Sequence, residues 1–275
     1  MANTSKNKKS DKTKVGSFPL KYKVVLALAV IVGIVTFLFA GFDVTNVNYS
    51  SDLNQYNSAE VENYFKYKKV GSTLGFVLKD KLGFKTKMQL FEKYSVNLES
   101  LTQVKIVGQE KKLIGCIEEN GMFYYLDQDG YVTKQTTQKM DVPVIVGMKV
   151  TSKKLYSPLQ TEDKGNVEAL SKMYQAASKY NYEIRKMRVN KNNETSIYVK
   201  RLRVDLGTNT NIDKKLIALN DMHKTAFERE GILDMKHYNP DGEYTLKSIE
   251  KKVTKKDKSA KNKKTKKNVG NNQSQ

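Results

Sequence analysis

MFYYLDQDGYVTKQ, residues 122–135, reads as two aromatic-rich strands on either side of Asp127-Gln128-Asp129-Gly130. An Asp-Gly step between β-prone runs is a hairpin signal, because Asp and Gly tolerate the positive φ that such turns demand. The same four residues invite a calcium-loop reading. The third acidic position and the terminal Glu of an EF-hand are missing, so the turn is the stronger reading. With one Cys and two His in 275 residues, neither a disulfide framework nor a Cys-rich zinc site is expected, and no cofactor or metal is implied.

Outward from the hairpin toward the amino terminus, Val104, Ile106 and Leu113 mark strands with one buried face, after a helix expected at roughly Thr86–Lys93. Further back, Ser58 precedes AEVENYFKY, where Val61, Tyr64 and Phe65 recur at helical spacing and Ser58 reads as the cap. A short strand begins at Val44, Val47 and Tyr49. Strand, helix, helix, strand, strand is a small α+β module.

Toward the carboxyl end, Asn166 is expected to cap VEALSKMYQAASKY, whose Val167, Leu170, Met173, Tyr174 and Ala177 line one face. TSIYVKRLRVDLG changes its alternation phase at Lys200-Arg201, which predicts a tight turn or bulge there. A second helix is expected from about Asp213 to Glu230, with His223 at the edge of its apolar face. The last pieces are a strand in ILDMKH, an Asn-Pro-Asp-Gly turn and a final strand carrying Tyr244, Leu246 and Ile249. A terminal strand of this kind leaves an edge on which a partner can pair.

The run Val24–Phe42 carries no charge and spans roughly 28 Å as a helix, against a hydrocarbon core of about 30 Å. Seven lysines precede it, and no Lys or Arg follows before Lys66. That asymmetry places the amino terminus in the cytoplasm and the remainder outside. Leu38 and Phe39 crowd the only plausible cleavage point at Ala40, so an uncleaved anchor is expected rather than a signal peptide. The net charge of +20 is concentrated in the two ends of the chain, which leaves the middle mildly basic and gives no reason to expect nucleic-acid binding.

In this order the elements resemble the bacterial cell-division family FtsQ, called DivIB in Gram-positive bacteria. The resemblance is carried by FDVTNVNYSSDLNQYNSAEVENYF, QVKIVGQEKKLIGCIEENGMFYYLDQDGYV, DVPVIVG, VDLGTNTNIDKKLIALNDM and ILDMKHYNPDGEYTLKSI, and covers residues from about 20 to 250. It implies an α+β chain divided into a basic cytoplasmic tail (1–23), a transmembrane helix (24–42), a POTRA-like domain (43–118), a larger mixed β-sheet domain with packed helices (119–250) and a disordered Lys-rich tail (251–275). It further implies a non-enzymatic scaffold of the divisome, at the septum, binding small single-pass coiled-coil proteins of the FtsB/DivIC and FtsL type and, indirectly, the septal peptidoglycan synthase complex. Carried onto this chain, the partner edge falls on Asp234, Lys236, Tyr238, Gly242, Tyr244, Leu246 and Ile249. The recruiting surface of the POTRA-like domain falls on Val44, Val47, Tyr49, Val61 and Tyr64.

No G-x-S-x-G, H-E-x-x-H or Gly-rich phosphate loop occurs, and no S-x-x-K with its partner motifs. Glu118 and Glu119 are adjacent on an expected strand and point to opposite faces. A membrane-anchored cell-wall enzyme without familiar motifs is the alternative from another class; such an enzyme needs a concave pocket with convergent polar groups. A third reading is a surface module whose Lys-rich tail attracts anionic wall polymers.

Overall fold

The computed structural model describes residues 19–222 and 226–248. Most of the basic amino-terminal tail, His223, Ile249 and the Lys-rich tail lie outside the described residues. The chain divides into two compact units, residues 1–110 and 111–275.

The first unit opens with α1 (Leu20–Ala40), none of whose residues is buried in the protein. It is the one helix among the described residues long and apolar enough to cross a membrane. The helix starts ahead of Val24 and stops before Phe42, because the Gly41 N–H closes the last turn on Phe37 O at 2.8 Å. Next come β1 (Asn46–Ser51), α2 (Ser58–Lys68), α3 (Thr73–Lys81), β2 (Phe91–Leu98) and β3 (Gln103–Glu110), the strands ordered β1-β3-β2. β1 runs parallel to β3, and β2 antiparallel to it. Val61, Tyr64 and Phe65 of α2 and Phe76 of α3 pack with Val47, Val96, Val104 and Ile106 of the strands into a buried apolar layer.

Two local expectations are corrected. The cap of α2 is Asn57, not Ser58: its side chain accepts from Glu60 N while Glu60 reaches back to Asn57 N, a capping box that silences two orphan donors at once. The second helix lies at Thr73–Lys81, not at Thr86–Lys93. Met88, Leu90 and Phe91 suggest helical spacing, but they are core residues of an extended approach to β2, and Ser72 caps α3 upstream through Gly75 N.

The second unit starts with β4 (Leu113–Glu119), β5 (Met122–Asp127), β6 (Val132–Thr136), β7 (Val144–Val146), and the separate pair β8 (Val150–Ser152) and β9 (Gln160–Thr161). Helix α4 (Asn166–Ser178), strands β10 (Ile184–Val189), β11 (Thr195–Val199) and β12 (Leu202–Gly207), helix α5 (Ile212–Asp221), β13 (Gly231–Asp234) and β14 (Thr245–Lys247) follow. Nine strands form one mixed sheet ordered β14-β13-β12-β11-β10-β7-β4-β5-β6. Because β4 pairs with β5 and β7 of this sheet, the unit begins at Lys111 and not after residue 118.

Leu170 and Met173 of α4 and Leu216 and Leu219 of α5 cover one sheet face, packing in one core with Met187, Ile197, Val204 and Leu233. Each such fully buried aliphatic side chain contributes about 1.5–3 kcal/mol. Asn166 does not cap α4. Gly165 holds the cap position at φ 90°, and Asn166 is the first helical residue with its amide buried. Helix α5 ends at Asp221, well short of Glu230, with Met222 as its C-cap. The hairpin at Asp127–Gly130 and the turn at Lys200-Arg201, where Lys200 takes φ 52°, lie where the sequence puts them.

Candidate partner-binding edge

The second unit ends its sheet at β13 and β14. β13 runs parallel to β12, which the α5 crossover permits, and β14 folds back antiparallel on β13 with Ile232, Leu233 and Asp234 opposite Lys247, Leu246 and Thr245. Outside β14 no further strand pairs among the described residues, which leave one side of its backbone open. Two glycines allow this close stacking. A Cβ on Gly231 would lie 2.7 Å from Lys247 O, and one on Gly207, at φ 67°, would lie 3.0 Å from Lys236 Cα and O.

Between the two strands, residues 235–244 form a braced turn. Asn239 Oδ1 accepts from Asp241 N (3.0 Å), Asn239 O accepts from Gly242 N (3.2 Å) and Asn239 Nδ2 donates to Glu243 O (3.0 Å). Gly242 supplies φ 73° at the bend. Tyr244 and Leu246 are half-buried against the core, and the Tyr244 hydroxyl accepts from Asn239 N at 3.2 Å. Asp234 accepts from Lys236 N (3.3 Å) and faces Lys247 Nζ at 3.2 Å. Burial pushes the Asp234 carboxyl up, but the Lys236 N–H and the Lys247 ammonium outweigh it and hold it below the usual carboxylate range.

The brace has an anchor that sequence reasoning did not single out. Lys215 on α5 is 1% exposed, and its Nζ donates to Leu206 O (2.7 Å), Lys236 O (2.8 Å) and Thr208 O (3.3 Å). Three carbonyls take the three ammonium donors, so the end of β12 and the start of the 235–244 turn are tied to one helix. Burial pushes the Lys215 pKa down. A signal was present: Lys215 falls on the Ile212, Leu216, Leu219 stripe, where a cation is out of place unless it has buried acceptors.

Of the residues expected at the edge, Asp234, Lys236, Tyr238, Gly242, Tyr244 and Leu246 lie on this β13–turn–β14 segment. Lys236 pairs with Glu194 at 3.3 Å, and Lys214 Nζ stands 5.4 Å from the centre of the Tyr238 ring. Beside the turn runs a groove of about 350 Å³ lined by Lys214, Ile217, Asp221, Tyr238 and Pro240, with Ile217 49% exposed.

Three of the five residues expected at the recruiting surface of the first unit are core. Val47, Val61 and Tyr64 are core residues, because β1 and α2 turn exactly that alternation and stripe inward. The Tyr64 hydroxyl is buried too and accepts from Gln89 N. Val44 and Tyr49 are half-buried. The Tyr49 hydroxyl donates to the buried Glu110 carboxylate (2.6 Å), which also accepts from Ser51 Oγ and Gln55 N; burial first, and then that contact, push the Tyr49 pKa far up. These groups hold the module together.

A cavity of about 640 Å³ in the second unit lies between the 139–143 loop, the end of α4 and the start of β10. Its lining includes Tyr174 and Tyr182, whose pKa values burial raises, and the Tyr182 hydroxyl donates to Leu216 O at 3.1 Å. No group of three or more His, Cys, Asp or Glu that could hold a metal occurs among the described residues.

Residues 116–236 match the family model described as Cell division protein FtsQ/DivIB, C-terminal. The matched stretch begins in β4 and ends just past β13, so it takes in the sheet up to the edge and stops short of β14. No curated protein matches the chain. The match supports a role in cell division and septation, and together with the apolar α1 it fits a membrane-anchored division protein.

Proposed function

We propose that this chain, a member of the FtsQ/DivIB cell-division family, is a membrane-tethered scaffold that holds small single-pass coiled-coil proteins of the FtsB/DivIC and FtsL type at the β13–β14 edge. The amino terminus lies in the cytoplasm, both units lie outside, and the protein works at the septum, linked through its partners to the peptidoglycan synthase complex. The family is a non-enzymatic one. The observation that carries the reading is the open side of β14 at the end of a nine-stranded sheet, next to the groove under Ile217 and Tyr238. An incoming strand would extend the sheet, and a helix would lay apolar side chains into the groove. The residues of the first unit expected to recruit do not support that part of the reading as a contact surface, since three of the five are core.

The test is site-specific photocrosslinking in dividing cells, with the probe at Thr245 on β14 and a control at Lys179 beyond α4, both exposed. Capture of small single-pass proteins from Thr245 alone is the expected result. Equal capture from both positions, or none from Thr245 in a folded and abundant protein, refutes the edge.

A further inference from the structure

The first unit holds a feature that division scaffolding does not call on. Residues 81–87, KLGFKTK, are all exposed, with Leu82 at 60% and Phe84 at 74%. A Cβ added to Gly83 would meet nothing within 4 Å, so the tip stands clear of the protein. Leu78, one helical turn before Leu82, is exposed as well. Free apolar side chains normally fold down onto the nearest surface, and here the chain prevents it.

Both ends of the finger are pinned to the outer edge of β2. On one side the Asp80 carboxylate accepts from Val96 N (3.1 Å), and on the other Lys85 Nζ donates to Tyr94 O (2.9 Å) and lies 3.3 Å from Asp80 Oδ1. The Tyr94 hydroxyl adds a bond to Thr86 O at 2.5 Å. Four lysines flank the tip: Lys79, Lys81, Lys85 and Lys87. Lys85 is occupied as described and Lys81 reaches Asn97 Oδ1 (3.3 Å), whereas Lys79 and Lys87 have no acidic partner among the described residues.

The finger is tied to the end of the unit where α1 leaves. Thr73 N, the first residue of α3, donates to Phe42 O (2.8 Å), and Ser72 bridges Asp43. Nine helical residues advance about 14 Å, which bounds how far α3 can carry Leu82 from that point. Sheet register agrees: Lys81 sits beside Asn97, which lies opposite Lys105 and through it Asn48, near the start of β1. Two more exposed apolar residues, Leu98 and Leu101, stand at the β2–β3 turn, whose Thr102 O accepts from Thr45 N.

We infer that the Leu82-Gly83-Phe84 finger docks on the outer face of the same bilayer that α1 spans, with Leu82 and Phe84 entering the headgroup layer and the lysines facing anionic lipid. Apolar tips ringed by lysines suit that layer, where an aromatic ring finds an apolar side and a wet side and the ammonium groups meet negative headgroups. The inference rests on α1 being a membrane anchor. It supplies a second attachment, which restricts how the first unit swings about Gly41.

The test uses the full chain in vesicles of mixed phosphatidylglycerol and phosphatidylcholine, and in pure phosphatidylcholine. Single cysteines replace Leu82, Ala59 on α2 and Val35 in α1, each labelled with an environment-sensitive fluorophore. The native Cys116 is buried and stays unlabelled. Lipids with headgroup nitroxides should quench the label at position 82 but not that at 59, more strongly with phosphatidylglycerol. Lys79→Gln and Lys87→Gln should each lower the inserted-to-free ratio about fivefold. If bromines in the acyl chains quench position 35 while position 82 remains as wet as 59, the finger proposal falls and the anchor stands. An unquenched position 35 overturns the anchor itself. A shift at position 82 caused by added polyphosphate, with none from anionic lipid, makes the finger a polyanion site and overturns the lipid assignment.

Discussion

Replacing Asp127 by Asn isolates the energetics of the hairpin that begins the large sheet. Asp127 is fully buried; its Oδ1 accepts from Asp129 N (3.0 Å) and Tyr131 N (2.8 Å), while Oδ2 has no hydrogen-bond partner. Burial pushes its pKa up to about 6 from 3.8, against the opposing pull of the Tyr131 N–H and the Lys111 ammonium. A folded-state pKa above the unfolded one means that the native protein holds the proton more tightly. Its stabilising contribution is therefore complete below pH 3.8 and is lost as pH rises through about 6. At 1.36 kcal/mol per pKa unit that loss is about 3 kcal/mol. Asn keeps the acceptor for both N–H groups and cannot ionise, though it buries an amide N–H₂ at a cost of about 1–3 kcal/mol at every pH. The difference in unfolding free energy between D127N and the parent should thus move in favour of D127N by about 2.4 kcal/mol from pH 4 to pH 7.5, the rest of the change lying below pH 4. Urea titrations read by exposure of the buried Cys116, with a thiol reagent active in acid, measure it in the full chain. Parallel pH profiles for the two proteins would refute the argument, and a shift of opposite sign would mean that the site favours the carboxylate.

Other substitutions test the remaining joints. Gly231→Ala puts a Cβ against Lys247 O, so hydrogen exchange at residues 245–247 should lose protection and the Thr245 cross-link should fall, with the rest of the sheet unchanged. Lys215→Met forfeits three charge-assisted bonds and recovers the desolvation of one ammonium, a net loss of roughly 2–4 kcal/mol by chemical denaturation, accompanied by faster exchange at residues 236–238. Asn57→Ala opens the capping box of α2 and should cost about 1 kcal/mol, concentrated in exchange of the first-turn amides.

Where sequence and structure agree, the cause is local. The Asp127–Gly130 hairpin, the phase change at Lys200-Arg201 and the apolar stripes of α4 and α5 each follow from steric rules acting within a few residues. The misses arise where tertiary contacts decide. Met88, Leu90 and Phe91 look helical in spacing, yet they enter the core of the first unit as extended chain, while TLGFVLKDK forms α3 despite Gly75 because Ser72 caps it and Phe76 packs. Val47, Val61 and Tyr64 illustrate the same point for function. Their alternation and spacing report burial, and burial removes them from any partner surface. Of the edge, the strand–turn–strand order is legible; for Lys215 the sequence shows a cation on an apolar stripe but not its acceptors, because they are carbonyls far apart in sequence.

The dimensions of the edge constrain how it can be used. β14 has three residues, so an added strand gains only two or three backbone hydrogen bonds, each worth a net of about 1 kcal/mol. Micromolar affinity requires about 8 kcal/mol, and most of that must come from elsewhere. The short strand and Lys247 also protect the edge against indiscriminate pairing, which a long apolar edge would invite. Two sources can close the gap without a large interface. One is the groove beside Ile217 and Tyr238, which offers apolar area to a side chain or helix that arrives with the strand. The other is confinement: a partner carrying its own membrane segment meets this chain at an effective concentration fixed by tethers in one plane, so contacts too weak in solution suffice. The edge should accordingly bind a detached soluble peptide poorly and the membrane-held partner well. Tight binding of a free strand peptide, equal to that of the membrane-anchored form, would mean that β14 and its groove are sufficient and that the membrane contributes nothing to recognition.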